Sequence, residues 1–342
     1  MNSRQISSLT DFSFVELENW FVKYGFKKFR AKQLWDWLYI RYVADYNQMT
    51  NLPKNVRAFL IDNLPILKTN VQKIHLAADK SEKRLIKLTD GDAIESVWIP
   101  MGNHATVCVS TQAGCPIGCK FCASGANGFN RNLSVGEIIE QVWMPAAAHS
   151  RRGIKNIVFM GTGEPFLNYN NLINAIKILN DHNGLNIGSR RMTVSTVGIL
   201  NKIIDFARDV PQANLAVSLH ATNDELRKKL IPNCPSKIND LLAALKEYYK
   251  ITHRKITFEY VLLKDINDSL DFAAELVELI KKIPSKLNLI EYNKVNFNKF
   301  DPPNKKTVDS FLKSLINNGI DVTLRRKKGD DINAACGQLR LR

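Results

Sequence analysis

What is scarce in this sequence narrows its reading first. No uninterrupted apolar run approaches the ~18 residues of a membrane span, so no transmembrane helix and no membrane partner are expected. Met1-Asn2-Ser3-Arg4-Gln5 is not a basic stretch leading into an apolar one. A secretory signal is therefore not expected, and the protein reads as cytoplasmic. Low-complexity tracts are missing as well. With hydrophobic residues at 45% and charged residues at 24%, the chain can offset its ordering entropy, which excludes disorder as the dominant state. Acidic side chains are in deficit: 33 Asp and Glu face 48 Lys and Arg across 342 residues, a formal charge of +15. Cysteines number only six.

The positive excess is uneven. Residues 1–70 hold ten Lys and Arg against six Asp and Glu, and residues 281–342 hold fourteen against six. The long stretch between them is close to neutral. Such a balance either serves solubility or implies a polyanionic partner, most often nucleic acid. Its placement at the two ends suggests two clamping surfaces around a more neutral core. Phe26-Lys27-Lys28-Phe29-Arg30-Ala31-Lys32-Gln33 interleaves aromatics with cations, which suits RNA contacts and equally suits a helix start with a solvated basic face.

Periodicity divides the chain. Residues 1–70 read as helices, with Phe14, Leu17 and Phe21 on one face and Leu34, Trp37 and Leu38 on another, and with Pro53 placed to open a third. Over 71–104 the period moves toward two, and Asp90-Gly91 between Arg84–Leu88 and Ile94–Ile99 marks a β-hairpin extension or linker. From 105 to 300 short β-branched runs alternate with amphipathic stretches. The strand candidates are Ala105–Ser110, Asn156–Met160, Met192–Ser195, Asn214–Leu219, Lys255–Leu263, Lys286–Glu291 and, within a C-terminal segment 301–342, Asp321–Arg325. Alternation of this kind predicts an α/β fold with a parallel sheet and helical crossovers, a full or partial β/α barrel.

Three of the cysteines, Cys115, Cys119 and Cys122, form a C-x3-C-x2-C motif. Disulfides are improbable in a cytoplasmic chain, so clustered thiols point to metal. Structural zinc and electron-transfer clusters both call for four protein ligands. Three thiolates on a four-iron cubane leave one iron open to a substrate, and the spacing resembles the radical S-adenosylmethionine (SAM) superfamily. Ser134-Val135-Gly136-Glu137 is a capping-box signature for the next helix. Gly161-Thr162-Gly163-Glu164 ends the next strand, with Glu164 able to accept from an ammonium group. Ser195, Ser218, Leu219 and His220 also fall at strand ends, where β/α-barrel chemistry collects. Cys108 suits a buried core thiol, as His220 alone suits a structural histidine. Cys336 sits in a polar, loop-like setting beside basic Arg325–Lys328, which makes a reactive thiol plausible.

Longer motifs carry a closer resemblance. Cys108-Val109-Ser110-Thr111-Gln112-Ala113-Gly114-Cys115, Gly128-Phe129-Asn130-Arg131-Asn132-Leu133, Ser195-Thr196-Val197-Gly198 and Ala334-Ala335-Cys336-Gly337-Gln338-Leu339 are similar to the RlmN family. The similarity runs from about residue 14 to the end. It implies a partial (β/α)6-type radical SAM barrel with an N-terminal helical RNA-binding accessory domain and a small β extension. It implies one 4Fe–4S cluster held by Cys115, Cys119 and Cys122, and two SAM molecules per turnover. The activity implied is methylation of carbon 2 of adenine in 23S rRNA, near the peptidyl-transferase centre, and in tRNA beside the anticodon. Cys336 would carry the methyl group and form a covalent RNA adduct; Cys108 would resolve it by disulfide formation. Glu95 matches the family's proton acceptor, with Cys108 the competing candidate for that role. Gly163, Glu164, Ser195, Ser218, Leu219, His220 and Asn293 match its SAM contacts. An external one-electron reductant of flavodoxin or ferredoxin type is implied too. Two alternatives are a Cfr-like enzyme acting on carbon 8 and a non-catalytic, metal-containing RNA-binding protein. Thr162 replaces a usual methionine, Glu291 a common proline, and the stretch after Cys336 is shorter than in some members.

Overall fold

The computed structural model describes residues 7–126, 128–149, 153–295, 298–325 and 328–339. Three helices come first: α1 (Phe14–Lys23), α2 (Phe29–Tyr39) and α3 (Lys54–Asn63). Ser13 opens α1 with a reciprocal cap to Glu16, and Pro53 stands at the N-cap of α3. Leu17, Phe21, Leu34 and Leu38 are buried as the helical spacing requires, and so is Trp35 between the expected positions. Each such large apolar side chain contributes about 1.5–3 kcal/mol on burial.

The strands β1 (Asn70–Leu76), β2 (Glu82–Lys87), β3 (Ala93–Met101) and β4 (His104–Cys108) run antiparallel in succession. The Asp90-Gly91 turn joins β2 to β3, with Gly91 at φ +93. After β4 the chain forms a short hairpin, β5 (Gln112–Gly114) with β6 (Phe129–Asn132), which brackets the three-cysteine loop. Then α4 (Val135–His149) crosses to β7 (Ile154–Phe159), α5 (Tyr169–Asn180) to β8 (Met192–Thr196), and α6 (Leu200–Asp209) to β9 (Asn214–Ser218). Two helices, α7 (Asp224–Leu230) and α8 (Ile238–Thr252), lead to β10 (Ile256–Leu262). Finally α9 (Leu270–Ile280) leads to β11 (Ser285–Glu291), and α10 (Lys305–Asn317) to β12 (Val322–Arg325).

β4 and β7 through β12 pair parallel in sequence order, so all seven expected strands form the predicted α/β sheet. Because β3 pairs with β4, the small β extension continues the barrel's own sheet. Among the described residues the sheet does not close by strand pairing. It curls, for Cys108 of β4 and Arg325 of β12 line one cavity together with Cys336.

The N-terminal helices are fastened at the start of α4. Ser134 and Glu137 cap that helix reciprocally, as their spacing predicts. Asp11 accepts from the Gly136 N–H at 2.8 Å and pairs with Lys68 at 2.7 Å. The buried Glu140 carboxylate accepts from Thr10 Oγ1 at 2.6 Å and from the backbone N–H groups of Lys68 and Thr69. Among the described residues no helix is long and apolar enough to cross a membrane.

Candidate active site

The site lies at the C-terminal rim of the parallel strands, where backbone ends leave N–H groups and side chains free to converge. Cys115, Cys119 and Cys122 share one cavity wall with Gly163, Glu164, Ser195, Ser218, His220, Glu259, Asn293 and Cys336. Gly114 makes the tight loop possible: at φ +78, a Cβ there would lie 2.1 Å from the Gly128 carbonyl oxygen. Burial raises all three thiol pKa values, that of Cys115 to about 12, and repulsion from the neighbouring loop thiols adds to the rise at Cys115 and Cys119. Three buried thiolates are stable together only around a compensating positive centre. Among the described residues, no three His, Cys, Asp or Glu side chains are gathered tightly enough to hold a single metal ion.

Glu164 caps the turn after β7. Its Oε2 accepts from the Val197 N–H at 2.9 Å and its Oε1 from the Phe166 N–H at 3.1 Å, and burial lifts its carboxyl to about 7. Gln112 holds the same turn, accepting from the Glu164 N–H at 2.8 Å. Thr162 does its work through its carbonyl, which accepts from the Thr111 and Gln112 N–H groups, so a threonine suffices there. Ser195 Oγ donates to Glu259 Oε2 at 2.8 Å and lies 3.5 Å from Ser218 Oγ. His220 takes a left-handed turn and its Nδ1 accepts from the Val261 N–H, while Leu219 buries its side chain in the core and lends only backbone.

The segment carrying Cys336 is stapled onto the cysteine loop. Ala123 N–H donates to the Gly337 carbonyl at 2.7 Å, Ser124 Oγ to that of Leu339 at 3.1 Å, and Asn293 Nδ2 to that of Cys336 at 3.0 Å. Gln338 braces the loop from within, bonding Ala335 N–H and Asp330. Beyond Cys336 a second cavity of about 400 Å³ is lined by Cys108, Met160, Glu291, Arg325 and Lys328. Cys108 is buried, and burial followed by the Cys336 charge pushes its thiol up to about 12. Arg326 and Lys327, the rest of the basic run, lie outside the described residues.

Glu95 does not line either cavity. It lies beneath the Cys336 segment on the face that bears Cys108, paired with Lys83 at 3.0 Å. Glu259 is the residue that sequence reading missed. Its signal was a lone carboxylate inside the apolar run Ile256–Leu262. Arg325 was visible only as part of a basic run, and Gln112, Gln338 and Lys83 gave no signal.

A family model for the N-terminal domain of ribosomal RNA large subunit methyltransferases matches residues 7–66, and one for the radical SAM superfamily matches residues 109–283. The probable dual-specificity RNA methyltransferase RlmN of Natranaerobius thermophilus is 45% identical over 340 residues, covering 97% of each chain. Its counterpart in Fervidobacterium nodosum is 42% identical over 340 residues, covering 98% of this chain and 97% of that one. The chain belongs to the RlmN family. A crystal structure of a radical SAM methyltransferase from Sphaerobacter thermophilus agrees, with a TM-score of 0.95 at 41% identity over 98% of this chain and 99% of that one.

As an RlmN-family radical SAM enzyme, the protein works with a 4Fe–4S cluster and SAM. The cavity fits both. Three clustered thiols on its wall are donors of the kind such a cluster takes. Among the described residues, Asn293 Oδ1 and Glu259 Oε1 are buried on the same wall without a hydrogen-bond partner, Glu259 Oε1 lying 3.9 Å from an Arg325 guanidinium nitrogen, and both are acceptors a ligand's donors can meet.

Proposed function

We propose that this protein methylates carbon 2 of adenine in 23S rRNA and in tRNA beside the anticodon, with Cys336 as methyl carrier. The observation that carries the proposal is the position of Cys336, which lines both cavities. One holds the three clustered thiols and Glu164, and the other holds Cys108 and the cations. A carrier must face its methyl donor and its acceptor in turn, and Cys336 stands at that junction.

Carbon 2 of adenine is electrophilic and does not attack a methyl sulfonium, so the methyl group reaches it by way of a protein sulfur. Bound at Cys115, Cys119 and Cys122, the cluster would supply the electron that cleaves SAM to a hydrogen-abstracting 5′-deoxyadenosyl radical. Glu164, Ser195, Ser218, Asn293 and the backbone at Gly163, Leu219 and His220 would orient SAM. Cys336 would accept a methyl group from a first SAM, lose hydrogen from it in a second event, and bond through that carbon to the base. The adduct's unpaired electron would leave to the electron-transfer partner and its carbon-2 proton to Glu95. Cys108 sulfur would then attack Cys336 sulfur, so that the disulfide forms as the sulfur–carbon bond breaks and the Cys108 proton passes to the released carbon, completing the methyl group. With the Cys108 thiol pushed up to about 12, it is protonated at neutral pH, which favours Glu95 as the acceptor. The partners on this reading are 23S rRNA, tRNA and a flavodoxin- or ferredoxin-type reductant, all cytoplasmic, with residues 1–70 and the Cys336 region gripping the RNA.

Nucleoside mass spectrometry of rRNA and tRNA, kept separate, from a deletion strain rescued with this gene tests the proposal. We expect 2-methyladenosine in both pools and none with Cys336→Ala. Finding 8-methyladenosine instead would place the protein on the Cfr-like branch. A colourless zinc protein after anaerobic reconstitution, with RNA bound but unmodified, would favour the non-catalytic alternative.

A further inference from the structure

One ammonium group joins Glu95 to the segment that carries Cys336. Lys83 on β2 stands directly opposite Val97 on β3, and Val97 stands opposite Cys108 on β4. Glu95, two residues before Val97, therefore shares their face of the sheet. Lys83 Nζ lies 3.0 Å from Glu95 Oε1, with side chains only 11% and 7% exposed. The same Nζ donates to the Asn333 carbonyl at 3.3 Å. Asn333 begins the turn into Ala334-Ala335-Cys336 and holds φ +53. Val97, Cys108, Ala334 and Leu339 pack as one apolar cluster beside this bridge, which keeps water from it.

We propose that Lys83 is a positioning residue that couples Glu95 to the carrier segment. It rests on the reading of Cys336 as methyl carrier and Glu95 as proton acceptor. A buried carboxylate held by a fixed cationic partner has one orientation. Because the partner also holds Asn333, the carboxylate is set relative to Cys336 whenever that segment is seated. Other contacts hold the segment without touching Glu95. Ala78 N–H donates to Asp331 Oδ2 at 2.9 Å, and Gly329 N–H donates to Asp79 Oδ2 at 3.3 Å. The two duties can thus be separated.

The experiment uses reconstituted full-length enzyme and an RNA transcript, reading Cys336 methylation by intact mass and the covalent RNA–protein adduct by gel. Glu95→Gln should trap the adduct, slowing its breakdown on the order of 10²-fold, as loss of a general base does. Lys83→Met should methylate Cys336 at near the wild-type rate yet trap the adduct too, and Lys83→Arg should restore most of the breakdown. Asp331→Ala, which loosens the segment alone, should not trap it. The double variant Lys83→Met/Glu95→Gln removes the unpaired buried charge and should behave as Glu95→Gln does. Lys83 variants that break down the adduct normally, that fail at Cys336 methylation instead, or that add a loss to Glu95→Gln would overturn the proposal. If Glu95→Gln itself releases RNA normally, the reading of Glu95 falls first, a distinct outcome.

Discussion

Single residues at this site are fixed by contacts that tolerate little change. Gly163 has φ +112, and a Cβ there would sit 2.7 Å from Gln112 Cβ and 2.9 Å from Gln112 N. Gly163→Ala should cost about 1–3 kcal/mol of backbone strain and displace the Glu164 N–H from Gln112. Calorimetric SAM binding should be lost along with several degrees of melting temperature; a variant that binds SAM normally would disprove the close packing. His220 makes a second case. Burial pushes its imidazole from 6.5 down to about 3. The unfolded chain then binds the proton more readily than the folded one, so this contribution is intact above pH 6.5 and drains away as pH falls toward 3. His220→Asn keeps an acceptor for the Val261 N–H and does not titrate. Its melting temperature should therefore depend less on pH than the wild type's in the acid range. Parallel curves would refute this.

Among the elements, α4 shows how the helical and barrel regions are joined. An alanine ordinarily stabilises a helix relative to glycine by about 1 kcal/mol. At Gly136 the sign should reverse, since a Cβ would lie 2.6 Å from Thr10 Oγ1 and 2.9 Å from Ser8 Oγ. Gly136→Ala should lower the melting temperature and expose residues 64–70 to limited proteolysis; greater stability would show that the join is slack. The basic stretch before and within α2 resolves into two parts. Phe26 packs edge-on against Phe21 and Phe59 and is structural, whereas Phe29 is 51% exposed with the Arg30 guanidinium 4.5 Å above its ring. Only the second aromatic is free to meet a base. The sequence pattern could not separate them, because burial of one ring depends on α3, which lies well downstream.

For the whole molecule, the +15 charge is expected to serve RNA binding. Lys27 has no ion pair among the described residues, while Lys28 pairs with Glu18 at 3.1 Å. Lys27→Glu, Lys28→Glu and Arg326→Glu, the last outside the described residues, should weaken RNA binding and leave the cluster's absorption unchanged. Each lost phosphate contact should flatten the plot of log affinity against log salt by roughly 0.7–0.9. Because Lys28 also supports α1 through Glu18, its reversal should cost more stability than that of Lys27. Affinity that ignores salt would return the charge to solubility alone.

The elements and the cysteine loop were legible because their causes are local. β-branched runs form strands, amphipathic runs form crossovers, and three thiols within eight residues can meet without help from the rest of the chain. The resemblance to RlmN also rested on contiguous motifs. Placement across the chain was not legible in this way. Cys108 and Cys336 reach one cavity because the parallel sheet curls between β4 and β12. Glu259 turns its carboxylate to Ser195 because β8, β9 and β10 are neighbours in the sheet. Lys83, a basic residue in a half-buried strand, gains its partners only when β2, β3 and the Cys336 segment stack. The sequence by itself determined which chemistry the protein carries, since that depends on residue types at short spacing. The tertiary structure decided which groups face one another, since contacts between distant residues are set by strand order and packing.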